Sequence, residues 1–99
     1  MQLNIHSIHF DADKKLVDFI NKKCEKLLLF DHSIISGDVF LKSDKVEIHE
    51  NKTVEVKLLA SGSEFFASKK SSSFEEALDL SVEAIRRQIQ KSKKKNRIT

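Results

Sequence analysis

The chain has no proline, tryptophan or tyrosine, one cysteine, and glycine only at positions 37 and 62. Without proline or glycine clusters it has no composition for a flexible or stiff linker, so residues 1–99 are expected to form one domain. A single cysteine cannot close an internal disulfide, which suits a reducing compartment. Cys24 falls at a core-like position, and His6, His9, His32 and His49 are scattered, so no zinc-ligand spacing and no metal site is expected. His6 and His9 would point to opposite sides of a regular strand. The seven phenylalanines sit mostly at core-like positions, which argues against a base-stacking platform for single-stranded RNA. The longest purely apolar run is 27–30, far short of a membrane span. Residues 1–10 lack the basic start and apolar run of a signal peptide, so a cytoplasmic protein is expected.

Catalytic patterns are missing as well. No glycine-rich phosphate loop occurs, and Ser71-Ser72-Ser73 lacks the surroundings of a nucleophile elbow. Glu47 and Glu50 lie in a polar stretch with nothing to perturb them. The expectation is a protein that is not an enzyme and uses no cofactor, small-molecule substrate or membrane.

What is present is a charge asymmetry. Residues 1–85 hold 11 basic residues against 15 acids, a balance of −4, and residues 86–99 hold 7 basic residues and no acid, a balance of +7. A cationic end on a mildly acidic body suits a polyanionic partner. The cations belong to a long helical pattern. Phe74, Leu78, Val82, Ile85 and Ile89 recur at steps of four and three, the spacing of one helix stripe. Ser73 and Glu76 have capping-box spacing, and Glu75, Glu76 and Asp79 complement the helix dipole at its start. After Glu83 only basic charges follow: Arg86, Arg87, Lys91, Lys93, Lys94, Lys95 and Arg97. The first half of this helix is expected to dock on a core and the second to present cations, with residues 93–99 fraying as a polar tail.

Taken in order, residues 2–10 alternate as a strand, with Leu3 and Ile5 on one side, Ile8 and Phe10 on the other, and a change of face near His6-Ser7. Asp13 is the expected N-cap of a helix whose stripe is Leu16, Val17, Ile20, Cys24, Leu27 and Leu28. Lys14, Lys15, Lys22 and Lys26 fall on its opposite face, Lys23 lies at the flank, and Asp31-His32-Ser33 ends it. Residues 34–42 read as a strand with Val39 and Leu41 inward and Gly37 as a possible bulge signal. Residues 43–51 read as a solvated connection that Val46 and Ile48 could turn into strand. Residues 53–60 alternate, with Val54, Val56, Leu58 and Ala60 inward. Ser61-Gly62 is a hairpin turn, and residues 64–70 are a fourth strand that puts Phe65 and Phe66 on opposite faces. Of these two rings, the outer one is expected to pack under a loop. The fold class is therefore α+β: order β-α-β-β-β-α, a four-stranded sheet with two helices on one face and the other face partly wet.

The candidate site is the set of cations on the two helices: Lys22, Lys23 and Lys26 on the first, Arg86, Arg87, Lys91, Lys93 and Lys94 on the second. On neighbouring helices they would merge into one surface that displaces counterions from phosphates. The plainer alternative is a solvated helix face with a solubilising tail.

Three segments carry a family resemblance: MQLNIHSIHFDADKKLVDFINKKCEKL at the start, IISGDVFLK in the middle, and FEEALDLSVEAIRRQIQKSKKK at the end. Together they resemble the ribosome hibernation-promoting factor family, also called ribosome-associated inhibitor proteins, over nearly the whole chain. The stretch ALDLSVEAIRRQIQKSK is the more specific part. The resemblance implies the same β-α-β-β-β-α order, similar in shape to double-stranded RNA-binding domains. It implies a non-enzymatic protein that binds the small ribosomal subunit where messenger and transfer RNA would sit and silences translation in starved cells, a stress response. Lys23, Lys26, Arg87, Lys91 and Lys93 match positions where the family usually has basic residues, and they would contact ribosomal RNA backbone. Ala84 departs from a common lysine and Arg86 stands where an acid is frequent, which would shift the patch by a turn. The resemblance covers the ribosome-binding domain and not the second, C-terminal domain of long members, so pairing of ribosomes would need another factor. A general RNA-binding module of another pathway, or a protein-interaction domain using the wet sheet face, are the competing functions.

Overall fold

The computed structural model describes residues 1–44 and 51–97, with side chains as far as Lys93. The elements are β1 (Gln2–Ile8), α1 (Lys14–Glu25) continued by a 3-10 turn (Lys26–Leu29), β2 (Ile34–Ser43), β3 (Lys52–Ala60), β4 (Ser63–Ser71) and α2 (Phe74–Arg97). This is the expected α+β order. Val46, Ile48, Glu47, Glu50 and His49 lie outside the described residues. No described helix is long and apolar enough to cross a membrane.

The sheet runs β1-β2-β3-β4. β1 pairs parallel with β2, and β2, β3 and β4 form an antiparallel meander. A parallel pair needs a crossover, and α1 supplies it. The strands' alternation then places Val39, Leu41, Val54, Val56, Leu58, Phe65 and Ala67 on the buried face. Ile20, Cys24 and Leu27 from the first helical segment meet Leu78, Ile85 and Ile89 from α2 above them.

Local signals set the helix starts. Asp13 Oδ1 accepts from the Leu16 N–H at 2.8 Å, and Ser73 Oγ accepts from the Glu76 N–H at 3.2 Å. The α-helical part of the first helix ends at Glu25, earlier than the apolar spacing suggests, and Lys26–Leu29 tightens into a 3-10 turn. The turn keeps Leu27 buried while leaving Leu29 exposed. Asp31 then fixes the exit, accepting from both the N–H and the hydroxyl of Ser33.

Three expectations shift. The change of face in the first strand occurs at His9, with φ of 68°, and not at His6-Ser7. That left-handed residue returns Phe10 to the core side, where its ring stacks on Phe74 with centroids 5.1 Å apart. The irregularity in β2 lies between Ile34 and Ser36, not at Gly37. The extra residue, Ile35, lets Ile34 and Gly37 both face inward. Gly37 is instead a place of close approach: a Cβ there would lie 2.4 Å from Leu58 Cδ2 and 3.2 Å from the Lys57 carbonyl oxygen. Phe66 is 50% exposed on the outer sheet face instead of packed under a loop.

Candidate nucleic-acid interface

The two helices run parallel, side by side. Lys23 Nζ lies 3.1 Å from Asp79 Oδ1, and the Arg86 guanidinium lies 5.9 Å from the Phe30 ring centroid. Both cross-helix contacts join residues 56 positions apart (79 against 23, 86 against 30). That constant offset sets Lys22 level with Leu78 and Lys26 level with Val82. The cations of the first helix therefore sit a turn or more before Arg87. From Lys22 to Lys93, the seven candidate residues whose side chains are described form a staggered track over about 23 Å of axis at 1.5 Å per residue.

α2 positions its cations by outlasting the core. Its last buried side chain among the described residues is Ile89, and the backbone stays helical to Arg97, about 12 Å further. The buried stripe is centred slightly off the apolar spacing, because Ala77 and Ser81 are fully buried. The Ser81 hydroxyl lies 2.9 Å from the Ala77 carbonyl and 3.1 Å from that of Val54, which ties α2 to β3. A buried serine is invisible to a search for apolar spacing alone. Ala84 also packs against the core margin.

The eight positions are not equivalent. Lys22, Lys26, Arg87, Lys91 and Lys93 are exposed. Among the described residues, no acid lies within salt-bridge distance of Lys22, Lys26, Lys91 or Lys93. Arg87, 74% exposed, only grazes Glu83 at 3.6 Å. Lys23 is held by Asp79, and its Nζ also lies 5.5 Å from the Phe19 ring centroid. Arg86 is the most engaged: its Nε donates to Glu83 Oε2 at 3.0 Å and its Nη2 donates to Glu83 Oε1. This fork holds the Glu83 carboxyl below the usual glutamate range and raises the arginine. Lys94 lies beyond the described side chains.

Around the α2 axis, Arg86 and Lys93 are seven residues apart and share the flank toward α1. Lys91 falls about 140° from Arg86, on the flank toward β4. There Gln88 closes the sheet: its Oε1 accepts from the Phe66 N–H at 3.2 Å and its Nε2 donates to the Phe66 carbonyl at 2.6 Å. So Arg86 and Lys93 share the flank toward α1, while Arg87 and Lys91, four residues apart and about 40° around the axis from each other, lie together on the outer, β4-side face of α2. Lys23 reaches α2 through Asp79, and Lys22 and Lys26 are exposed on the first helical segment.

On the outer sheet face the charges are mutually paired. Lys42 meets Glu55 and Lys57 meets Glu64, each at 3.1 Å, and His6 Nε2 lies 3.0 Å from Asp38 Oδ1. Cys24 is fully buried, and burial pushes its thiol up to about 12, so it is no nucleophile at neutral pH. No group of three metal-ligating side chains occurs among the described residues.

Residues 3–97 match the family model described as sigma 54 modulation protein / S30EA ribosomal protein. The chain belongs to this family. Membership of this family makes it a non-enzymatic protein. Comparison with curated proteins gives no match. Two solved structures share the S30EA fold seen here. One is a ribosomal subunit interface protein from Coxiella burnetii, 19% identical, with a TM-score of 0.83 over 94% of this chain and 98% of that one. The other is the N-terminal domain of Thermus thermophilus Protein Y, 15% identical, with a TM-score of 0.79 over 92% of this chain and 98% of that one. At these identities the likeness is one of fold.

Proposed function

We propose that this S30EA-family chain is a cytoplasmic ribosome-binding translation inhibitor, a hibernation factor of the stress response. It occupies the channel for messenger and transfer RNA on the small subunit and blocks it by bulk. Ribosomal RNA phosphates are held by Lys22, Lys23, Lys26, Arg86, Arg87, Lys91, Lys93 and Lys94. The observation that supports this reading is the parallel helix pair, along which exposed cations are staggered, Lys22 and Lys26 on the first helical segment and Arg87, Lys91 and Lys93 further along α2. The family description and the name of the Coxiella burnetii relative point to the same partner.

The track suits a phosphate backbone for a physical reason. Its exposed members are solvated and flexible, so they can exchange counterions for phosphates without breaking the fold. The outer sheet face is less suited, because its cations Lys42 and Lys57 already neutralise glutamates. Lys23 and Arg86 enter the interface only by sharing or leaving Asp79 and Glu83. The bare cations Lys22, Lys26, Lys91 and Lys93, together with Arg87, therefore carry most of the affinity.

The test is co-sedimentation with small subunits across a salt series. With roughly 6–10 phosphates neutralised, affinity falls by roughly 10³–10⁵ between 50 and 200 mM salt. Arg87→Glu combined with Lys91→Glu abolishes co-sedimentation at physiological salt. Unchanged co-sedimentation would refute the assignment, and equal affinity for free duplex RNA would make the chain a general RNA binder.

A further inference from the structure

The two edges of the sheet are treated differently. At β4 the Gln88 amide bonds both backbone groups of Phe66, as a neighbouring strand would. At β1, among the described residues, no backbone or side chain bonds to the free edge. α2 lies close on β3 and β4, while α1 packs chiefly against α2. Leu3 and Ile5 of β1 consequently remain only partly buried. Beside them runs an open groove of about 500 Å³, lined by Leu3, Ile5, Phe10, Val17 and Asn21, with Asp11 at one end.

α1 sorts its charges around this groove. Asn21 lines it, and the residues three before and four after Asn21 on the helix are Asp18 and Glu25, both exposed. Lys14 is the one cation on that flank, and Lys15, Lys22 and Lys26 lie on the other side. The rim of Asp11, Asp18 and Glu25 against Lys14 is net negative, opposite in sign to the track on the far side of the helix.

We propose that the free edge of β1 accepts an extended, Lys/Arg-bearing peptide segment by strand addition. Its groove-facing residues are aliphatic or long-stemmed basic ones. The open backbone edge demands an extended partner, since only a strand offers donors and acceptors at matching intervals. The groove floor takes apolar stems against Leu3, Ile5 and Val17, and basic head groups reach the acidic rim. The alternate residues of the added strand continue the outer row of Gln2, Asn4 and His6, and must be polar. A basic protein tail has this chemistry, and this surface can hold one while the cationic track holds RNA.

The experiment uses the full chain and a labelled synthetic peptide in which Ser alternates with Arg, Val, Lys and Ile. Binding is followed by fluorescence anisotropy and by amide chemical shifts. The expected result is saturable binding with shifts concentrated on Gln2–Ile8 and the β1-facing flank of α1. A proline at the peptide centre, which removes a ladder donor, weakens binding at least about tenfold. Asp18→Lys with Glu25→Lys does the same, as does Val17→Lys, which blocks the groove. Equal binding of the proline peptide, or amide shifts confined to α1 with Gln2–Ile8 unmoved, would overturn strand addition. Concentration-dependent sedimentation of the chain alone, with the same amides shifted, would assign the edge to a second copy instead and overturn the peptide proposal.

Discussion

Arg86 lies over the ring of Phe30, with its guanidinium carbon 5.9 Å from the centroid, while its fork grips Glu83 one turn back. The arginine thus joins the end of the first helical segment to the middle of α2. Its neighbour Arg87 projects into solvent. Adjacent residues of one type carry different loads because 100° of helix rotation separates them.

Arg86→Ala is expected to lower stability measurably, because it removes the cation–π contact on Phe30 and the fork on Glu83. Arg87→Ala is expected to change stability by less than about 0.5 kcal/mol, as for a surface substitution. Ribosome affinity should show the reverse order, with Arg87→Ala the more harmful. Urea titrations beside co-sedimentation measure both, and a larger affinity loss for Arg86→Ala would make it a primary phosphate ligand.

Gly37→Ala tests the close approach in β2. The new methyl would meet Leu58 Cδ2 at 2.4 Å and Leu3 Cδ1 at 3.0 Å. Leu58 is fully buried and has little room to swing away. Overpacking of this kind costs about 1–3 kcal/mol, visible as a lower denaturation midpoint with an unchanged slope.

Gln88→Ala tests how the β4 edge is closed. The Phe66 N–H and carbonyl lose their partner, and an exposed ring sits beside an open strand edge. Faster hydrogen exchange at the Phe66 amide and greater aggregation at high concentration are expected. Protection equal to that of the parent would show that the bond contributes nothing in solution.

Cys24 gives a pH prediction with a definite sign. Burial raises the thiol from 9.0 to about 12 in the folded chain. Between those values the unfolded thiol ionises and the folded one does not, so the folded state binds more protons. This contribution to stability is intact below about pH 8.5 and is lost as pH rises toward 12. Removing the thiol with Cys24→Ala should flatten the fall in stability over that window, measured against the parent chain. At pH 8 the parent cysteine should react with a disulfide reagent only as fast as the fold opens.

The legible parts of this protein were those set by near neighbours in the sequence. The caps Asp13 and Ser73, the hairpin at Ser61-Gly62 and the alternation of 53–60 each depend on contacts within a few residues. The element order, fold class and cationic end follow from such local spacing. Where an element breaks its own period, local reading failed: His9 turns the chain with a left-handed backbone, and Ile35 adds a residue to β2. Phe66 read as covered and stands exposed, because its exposure depends on where other segments lie.

The amino-acid sequence by itself settled that this is one α+β arrangement of four strands and two amphipathic helices, with the positive charge gathered at one end. Periodicity and charge are properties of the chain before it folds. Only the tertiary structure decided that β1 runs parallel beside β2, that the helices share a fixed offset, and that Arg86 is engaged while Arg87 is open. Those facts depend on pairings between residues 34 to 56 positions apart, such as Leu3 with Gly37 and Phe30 with Arg86, which no short window of sequence contains.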